Sequence, residues 1–303
     1  MSEYDSIQTF LFENAPIRGQ IVRLNASFVA ALATANYPAV FHNLLGESLC
    51  AATLLSSTIK FNGKLSLQAQ GNGILNLLFA QSDEDFHIRG IAHFNELAFD
   101  HSLKDVSLPE LLGNGQLAIT LEPPKGERYQ GIVNLTGSTL ADCLQDYFHQ
   151  SEQISTFLTF MIHDDVAAGL LLQRLPPAEK ESYAEEHEAM LMWEECVHLA
   201  STITAKELCL LDNHTILHRL FPTYTIELFD SKPVSFRCSC SRERIGIALQ
   251  QLGEKEVLAL LTEQNGTIHT RCEFCNREYL FDSVDIVSIF KQATGTPTSS
   301  RQQ

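Results

Sequence analysis

Two close cysteine pairs constrain this chain more than any other feature. Cys238 and Cys240 form C-x-C within FRCSCSRER, and Cys272 and Cys275 form C-x-x-C within TRCEFCNREYLFD. The other four cysteines, Cys50, Cys143, Cys196 and Cys209, stand singly. Two tight pairs joined by a spacer long enough to fold are the arithmetic of a zinc site. Zinc takes four thiolates in a tetrahedron at ~2.3 Å, so each pair has to bring two sulfurs to one point. C-x-x-C does this within a single turn. C-x-C does it on an extended segment, where residues i and i+2 share a side. Four protein thiolates leave no open position for water or substrate, which favours structure or redox sensing over hydrolysis. Arg237, Arg242, Arg244, Arg271 and Arg277 flank the cysteines and are placed to offset the negative charge of such a centre. The spacing by itself leaves a purely structural zinc ribbon open.

Charge narrows the partners. The formal net charge is −16, which argues against a nucleic-acid binder. Residues 1–175 carry 18 acidic and 9 basic side chains, and residues 176–230 carry 11 and 3. Residues 231–303 carry 8 and 9, so the balanced segment is the one that would hold an anionic metal centre. The N-terminus, MSEYDSIQTFLFENAP, has early acids and lacks the apolar stretch of a secretory signal. No apolar run approaches the ~18 residues that span a membrane. Eight cysteines in 303 residues do not make a secreted disulfide scaffold. The expectation is a cytoplasmic protein whose thiols are reduced at rest, with no membrane or nucleic-acid partner.

In chain order, residues 1–175 read as an α+β domain of antiparallel sheet with packed helices. Ile17–Leu24 and Lys64–Gln70 alternate as strands do. Ile74–Ala80 and Phe86–Phe94 follow, separated by a Ser-Asp-Glu-Asp turn. Gln116–Leu121 and Tyr129–Leu135 make another pair, and helical patterns cover Tyr37–Thr58 and Leu140–His149. Strands in runs, without strict β-α-β alternation, point to antiparallel pairing. Gly71-x-Gly73 and Gly113-x-Gly115 each precede a strand pattern, so they read as turns and not as phosphate loops, which open helices. His87, His93, His101 and His163 make no metal spacing. There is no nucleophile elbow and no clear carboxylate pair, so an enzyme is not expected. Cys50, Cys143, Cys196 and Cys209 read as buried inert thiols.

Residues 176–230 read as an acidic helical linker after the Pro176-Pro177 break. Ser182 with Glu185 fits a capping box, as does Thr204 with Glu207. Met190, Leu191, Val197, Leu199 and Ala200 supply a rough apolar stripe, with Trp193 nearby. Apolar faces on a chain of strong negative charge predict a segment that folds only against its neighbours. Residues 231–293 read as a small zinc-binding domain. Its expected helices are Arg242–Gln251, ending at Gly253, then Glu254–Gln264, then Ser283–Gln292 capped by Asp282. Residues 294–303 read as a disordered tail.

FRCSCSRER, the C-x-x-C-N run and YLFD resemble the zinc-binding end of the redox-regulated 33 kDa heat-shock chaperones. LHRLF at Leu217–Phe221 and YFHQSEQIST at Tyr147–Thr156 are similar to that family too, so the resemblance spans nearly the whole chain. It implies an ATP-independent holding chaperone that takes unfolded or partly folded clients and forms a homodimer when oxidised. It implies one zinc per reduced chain on Cys238, Cys240, Cys272 and Cys275. It further implies that oxidation pairs Cys238 with Cys240 and Cys272 with Cys275, releases the zinc and unfolds the linker. Two other classes remain at this point. A thiol–disulfide oxidoreductase would need C-x-x-C opening a helix, whereas here it leads into the strand-like REYLF. A zinc-ribbon interaction or nucleic-acid module would need a basic face.

Overall fold

The computed structural model describes residues 4–58, 62–99, 106–176 and 183–294. His101, Pro177, Ser182 and the Glu185 side chain of the expected capping box, and the expected tail beyond Thr294 lie outside the described residues. The chain divides into two compact units, Met1–Arg237 and Cys238–Gln303.

The first unit opens with the hairpin of β1 (Ser6–Phe12) and β2 (Ile17–Leu24), whose first strand has no assignment from sequence. The Phe10 ring packs against Gly19 across the hairpin; a Cβ there would come within 2.0 Å of the ring. α1 (Ala26–Leu32) is capped from a distance. The Asp5 carboxylate accepts the amides of Ala26 and Ser27, both at 2.9 Å, a task the Asn25 side chain leaves undone. α2 (Ala39–Thr58) follows, apolar on most of its circumference, as a helix must be when it is covered on several sides.

β3 (Lys64–Gln70), β4 (Leu75–Asp83) and β5 (His87–Phe94) form an antiparallel meander; β3 and β5 fall within a residue of the expected strands, whereas β4 runs three residues past the expected Ala80 into the stretch read as a turn. α3 (Leu108–Leu112) is closed by a Ser107–Glu110 capping box. β6 (Gln116–Glu122) and β7 (Tyr129–Val133) extend the same sheet. The two glycine-rich spots are turns that lock together: Gly73 donates its amide to the Leu112 carbonyl at 2.9 Å. A Cβ on Gly71 would meet that same oxygen at 2.1 Å, so close backbone approach is what demands glycine there. α4 (Leu140–Tyr147) continues into one π turn at Phe148–Glu152. β8 (Thr156–His163) and β9 (Val166–Arg174) then return to the first sheet.

Three helices come next: α5 (Tyr183–Ala200), α6 (Ala205–Leu210) and α7 (Asn213–Leu220). The expected Thr204–Glu207 capping box of α6 is present with both halves made. The unit closes with three short strands, β10 (Ile226–Leu228), β11 (Lys232–Pro233) and β12 (Ser235–Phe236). One sheet runs β10-β1-β2-β9-β8, with β11 also on β1; the other runs β12-β5-β4-β3-β6-β7. The fold is the expected α+β class with antiparallel pairing, except that β12 lies parallel to β5.

α2 packs between the sheets, touching β4 and β5 of one and β2, β8 and β9 of the other. This makes the main core, with Phe28, Phe41, Leu45, Leu49 and Leu54 all fully buried. A second core lies on the far face of the β1–β2–β9–β8 sheet. There Phe10, Phe12, Ile17, Ile21, Leu170 and Leu172 meet Cys196, Ala200, Leu208, Cys209, Leu217 and Phe221 of the helical segment. Residues 183–220 therefore fold as part of the first unit. The α5 stripe differs from its expected composition: Met190 and Leu191 are half exposed, while Cys196 and Ala200 are fully buried with Met192, Trp193 and Leu199 partly so. The 3.6-residue period centres on Cys196, buried as its apolar-thiol reading expects but not among the residues expected to form the stripe.

In the second unit, α8 (Arg242–Leu252) starts at the Ser241 cap and stops at Gly253, whose φ of 94° suits glycine. α9 (Glu254–Glu263) ends before Asn265 and Gly266, both left-handed. β13 (Thr267–Arg271) pairs with β14 (Glu278–Asp282), and Asp282 caps α10 (Ser283–Thr294) by accepting the Val284 and Asp285 amides. Its core is thin: Leu249, Val257, Leu261, Ile268, Tyr279, Phe281 and Ile286, with Cys272 among them. A unit this small usually needs a staple.

Candidate metal centre

The four cysteines singled out by spacing meet at that thin core. Cys238 and Cys240 lie on the extended segment that leads into α8, with Ser239 between them. Cys272 and Cys275 lie in the knuckle of the β13–β14 hairpin. The Cys275 and Asn276 amides both donate to the Cys272 carbonyl, at 3.3 and 2.8 Å, and Asn276 turns left-handed to bring the chain back. All four Sγ atoms fall within 4.8 Å of one another. Cys238 and Cys272 are 3.5 Å apart at sulfur, and Cys240 and Cys275 are 3.4 Å apart. A tetrahedron with Zn–S ~2.3 Å has edges of about 3.8 Å, so the quartet fits a single zinc-sized ion. Among the described residues this is the one grouping of three or more such side chains that could hold a metal.

The thiols are not equivalent. Burial pushes the Cys272 thiol up to about 12, and the neighbouring Cys238 adds to that. Burial raises Cys275 as well. Burial also acts upward on Cys240, but hydrogen bonds from Tyr279, Cys275, Cys238 and Cys272 outweigh it and bring that thiol down to about 7. The Tyr279 hydroxyl donates to Cys240 Sγ at 3.0 Å. One thiolate, Cys240, is thus favoured near neutrality while Cys272 and Cys275 hold their protons, which a bound dication would displace.

The five arginines divide their work differently from the expectation that they surround the metal. Arg277 faces Tyr279 and the sulfurs of Cys240 and Cys275. Arg242 instead reaches the Leu280 carbonyl and Asp285, both at 2.6 Å, and covers the Phe281 ring. Arg244 bonds Ser239, Arg271 pairs with Glu278, and Arg237, in the first unit, reaches His87. Tyr279 is the functional neighbour that sequence reasoning missed. Its signal was the alternation E-Y-L-F-D, which places Tyr279 and Phe281 together on the inner face of β14. The C-x-x-C pair opens into a strand and not a helix, so it lacks the helix N-terminus that activates oxidoreductase cysteines. Cys50, Cys143, Cys196 and Cys209 are fully buried. Burial raises all four thiols, Cys196 and Cys209 to about 11, as the inert reading expected.

Comparison with known proteins gives one consistent picture. The family model described as Hsp33 protein matches residues 5–282. A 33 kDa chaperonin of Ectopseudomonas mendocina is 43% identical over 298 residues, covering 98% of this chain and 99% of that protein. A 33 kDa chaperonin of Pseudomonas aeruginosa is 43% identical over 293 residues, covering 97% of each. The crystal structure of the 33 kDa chaperonin (heat shock protein 33 homolog) of Thermotoga maritima superposes with a TM-score of 0.76 at 20% identity. It covers 96% of this chain and 100% of that one, and shows the same fold.

Proposed function

The chain belongs to the Hsp33 family and is a chaperone rather than an enzyme, and from that premise we propose that it is a redox-regulated, ATP-independent holdase of the cytoplasm. The observation that carries this reading is the convergence of four thiols at the core of a unit too small to be secure without them. In the reduced state Cys238, Cys240, Cys272 and Cys275 would hold one zinc per chain. Bound there, zinc supplies the cross-link that stabilises the small unit. Oxidation of Cys238 with Cys240, and of Cys272 with Cys275, removes all four ligands. Each pair of thiolates would give two electrons to one peroxide, which takes two protons from solvent, leaving one disulfide and two waters. The folding energy tied to the metal is then lost.

The helices of residues 183–220 supply the second half of the reading. They carry seven acidic and two basic side chains and lie on a sheet face of Phe10, Phe12, Ile17, Ile21, Leu170 and Leu172. Short helices of this kind are marginal without such packing. Their release would uncover a continuous apolar surface, which is what a holdase offers to unfolded or partly folded clients. A homodimer of the oxidised form belongs to the same proposal, and nucleic acid and membrane do not. No helix among the described residues is long and apolar enough to cross a membrane.

The deciding experiment measures suppression of client aggregation by reduced and peroxide-treated protein side by side, without nucleotide. Suppression by the oxidised form alone, together with release of one zinc per chain, is expected. Equal activity in both forms, or a requirement for ATP, overturns the reading. An insulin-reduction assay run in parallel would detect an oxidoreductase.

A further inference from the structure

We infer that Arg23 is the positioning residue that latches the linker helices onto the sheet, by gripping the joint between α6 and α7. Arg23 is 2% exposed, an unusual depth for a guanidinium. It follows Ile17, Gly19 and Ile21 at two-residue intervals on β2, which puts it on the face that the helices cover. Its Nε donates to the Leu208 carbonyl at 3.2 Å, and its Nη2 donates to the Leu211 carbonyl at 2.5 Å and to Asn213 Oδ1 at 3.0 Å. Leu208 and Leu211 belong to the closing turn of α6, whose last carbonyls have no partner inside the helix. Asn213 is the first residue of α7. One side chain from the sheet therefore satisfies both sides of the joint.

The grip extends further along the same line. Asn213 Nδ2 donates to Gln8 Oε1 at 2.8 Å, and Gln8 Nε2 donates to the Phe229 carbonyl at 2.7 Å. The Tyr4 ring lies 5.7 Å from the Arg23 guanidinium carbon. Apolar packing in this interface fixes how strongly the helices are held but is tolerant of small slides. The fork of a guanidinium on three oxygens is not, so Arg23 sets the register of docking as well as its strength. The latch is also reversible by construction. When the helices leave, the carbonyls and the guanidinium both regain water, and hydration of the charge offsets part of the lost contacts. Removal of Arg23 while the helices stay docked has no such compensation, because buried acceptors are then left unpaired.

The latch itself is a property of the resting protein; only its consequence for activation rests on the proposed release of the linker. The test uses the full chain, reduced and zinc-loaded, with wild type, Arg23→Met, Arg23→Lys and Asn213→Ala compared. Hydrogen exchange of α6 and α7 amides is read against β9 as internal reference, and aggregation suppression is titrated with peroxide. Arg23→Met is expected to raise local opening of α6–α7 by at least about tenfold, with Arg23→Lys and Asn213→Ala in between. The peroxide dose for half-activation is expected to fall in the same order, with zinc affinity unchanged. If Arg23→Met does not fold, the other two variants carry the comparison. Exchange of α6 and α7 that matches wild type in Arg23→Lys and Asn213→Ala, or in Arg23→Met, overturns the inference. Wild type that shows no redox-dependent activity overturns the functional reading and leaves the exchange result standing.

Discussion

At the residue scale, Tyr279 and Glu47 make separable predictions. The Tyr279 hydroxyl donates to Cys240 Sγ and draws electron density from it. Tyr279→Phe should therefore oxidise and release zinc severalfold faster at fixed peroxide, followed with a chromogenic zinc chelator; an unchanged rate would show that the hydroxyl only packs. Glu47 sits on α2 between the sheets. It keeps a rim of solvent contact, yet burial raises its carboxyl from the usual 4.5 to about 7. A carboxyl raised in this way favours the folded state fully below about 4.5 and loses that contribution as pH climbs through 7. Glu47→Gln removes the term. The melting-temperature gain of Glu47→Gln over wild type should be several degrees larger at pH 8 than at pH 5. The same gain at both pH values would place the carboxyl in water. The site cysteines were legible from spacing because metal geometry constrains sequence locally. Tyr279 was hidden because its role depends on a hairpin that brings it back to a cysteine far earlier in the chain. Arg23 was hidden for the same reason, its partners lying far along in α6 and α7.

At the scale of elements, what could be read from the chain followed exposure. The limits of β2, β3 and β5 were read almost to the residue, whereas β4 runs three residues beyond its expected end, into the polar stretch read as its turn. β9, with VAAGLLLQR, is buried on both faces along nearly its whole length, so its period of two is erased. β8 beside it and β1 went unassigned for related reasons, since short apolar runs do not separate strand from helix. α7 buries Ile216, Leu217 and Leu220 on one face and is held at its start by Asp212, which accepts the Thr215 amide at 2.8 Å. The α6 box was legible because S/T-x-x-E is local chemistry, and it can be tested. Thr204→Ala removes a cap of about 1 kcal/mol. It should increase exchange of α6 amides roughly fivefold and leave zinc binding alone. A fivefold change spread evenly over β2 and β9 would mean that α6 is not an independent opening element.

At the scale of the whole molecule, the two units have different sources of stability. The first has two apolar cores with no metal-ligating cluster among the described residues, and the second has one thin core threaded by Cys272. Chelation of reduced protein, without oxidant, should strip exchange protection from β13, β14 and α8–α10 while β2, β9 and α2 keep theirs. Retained protection in the second unit would show that its fold does not need the metal. The strands that follow the helices add a kinetic consequence. β10 and β11 are stitched to β1, and β12 to β5, so the helical stretch is fastened at Arg174 on one side and Ile226 on the other. Once undocked it is a closed loop and not a loose arm. Its local concentration at its own sheet is set by tether length, in the millimolar range for short flexible connections. On the proposed release, a client would have to displace a competitor that never diffuses away. Redocking of the released helices would correspondingly be first order, and a longer loop would slow it only gently, since doubling the length costs ~0.6 kcal/mol in closure.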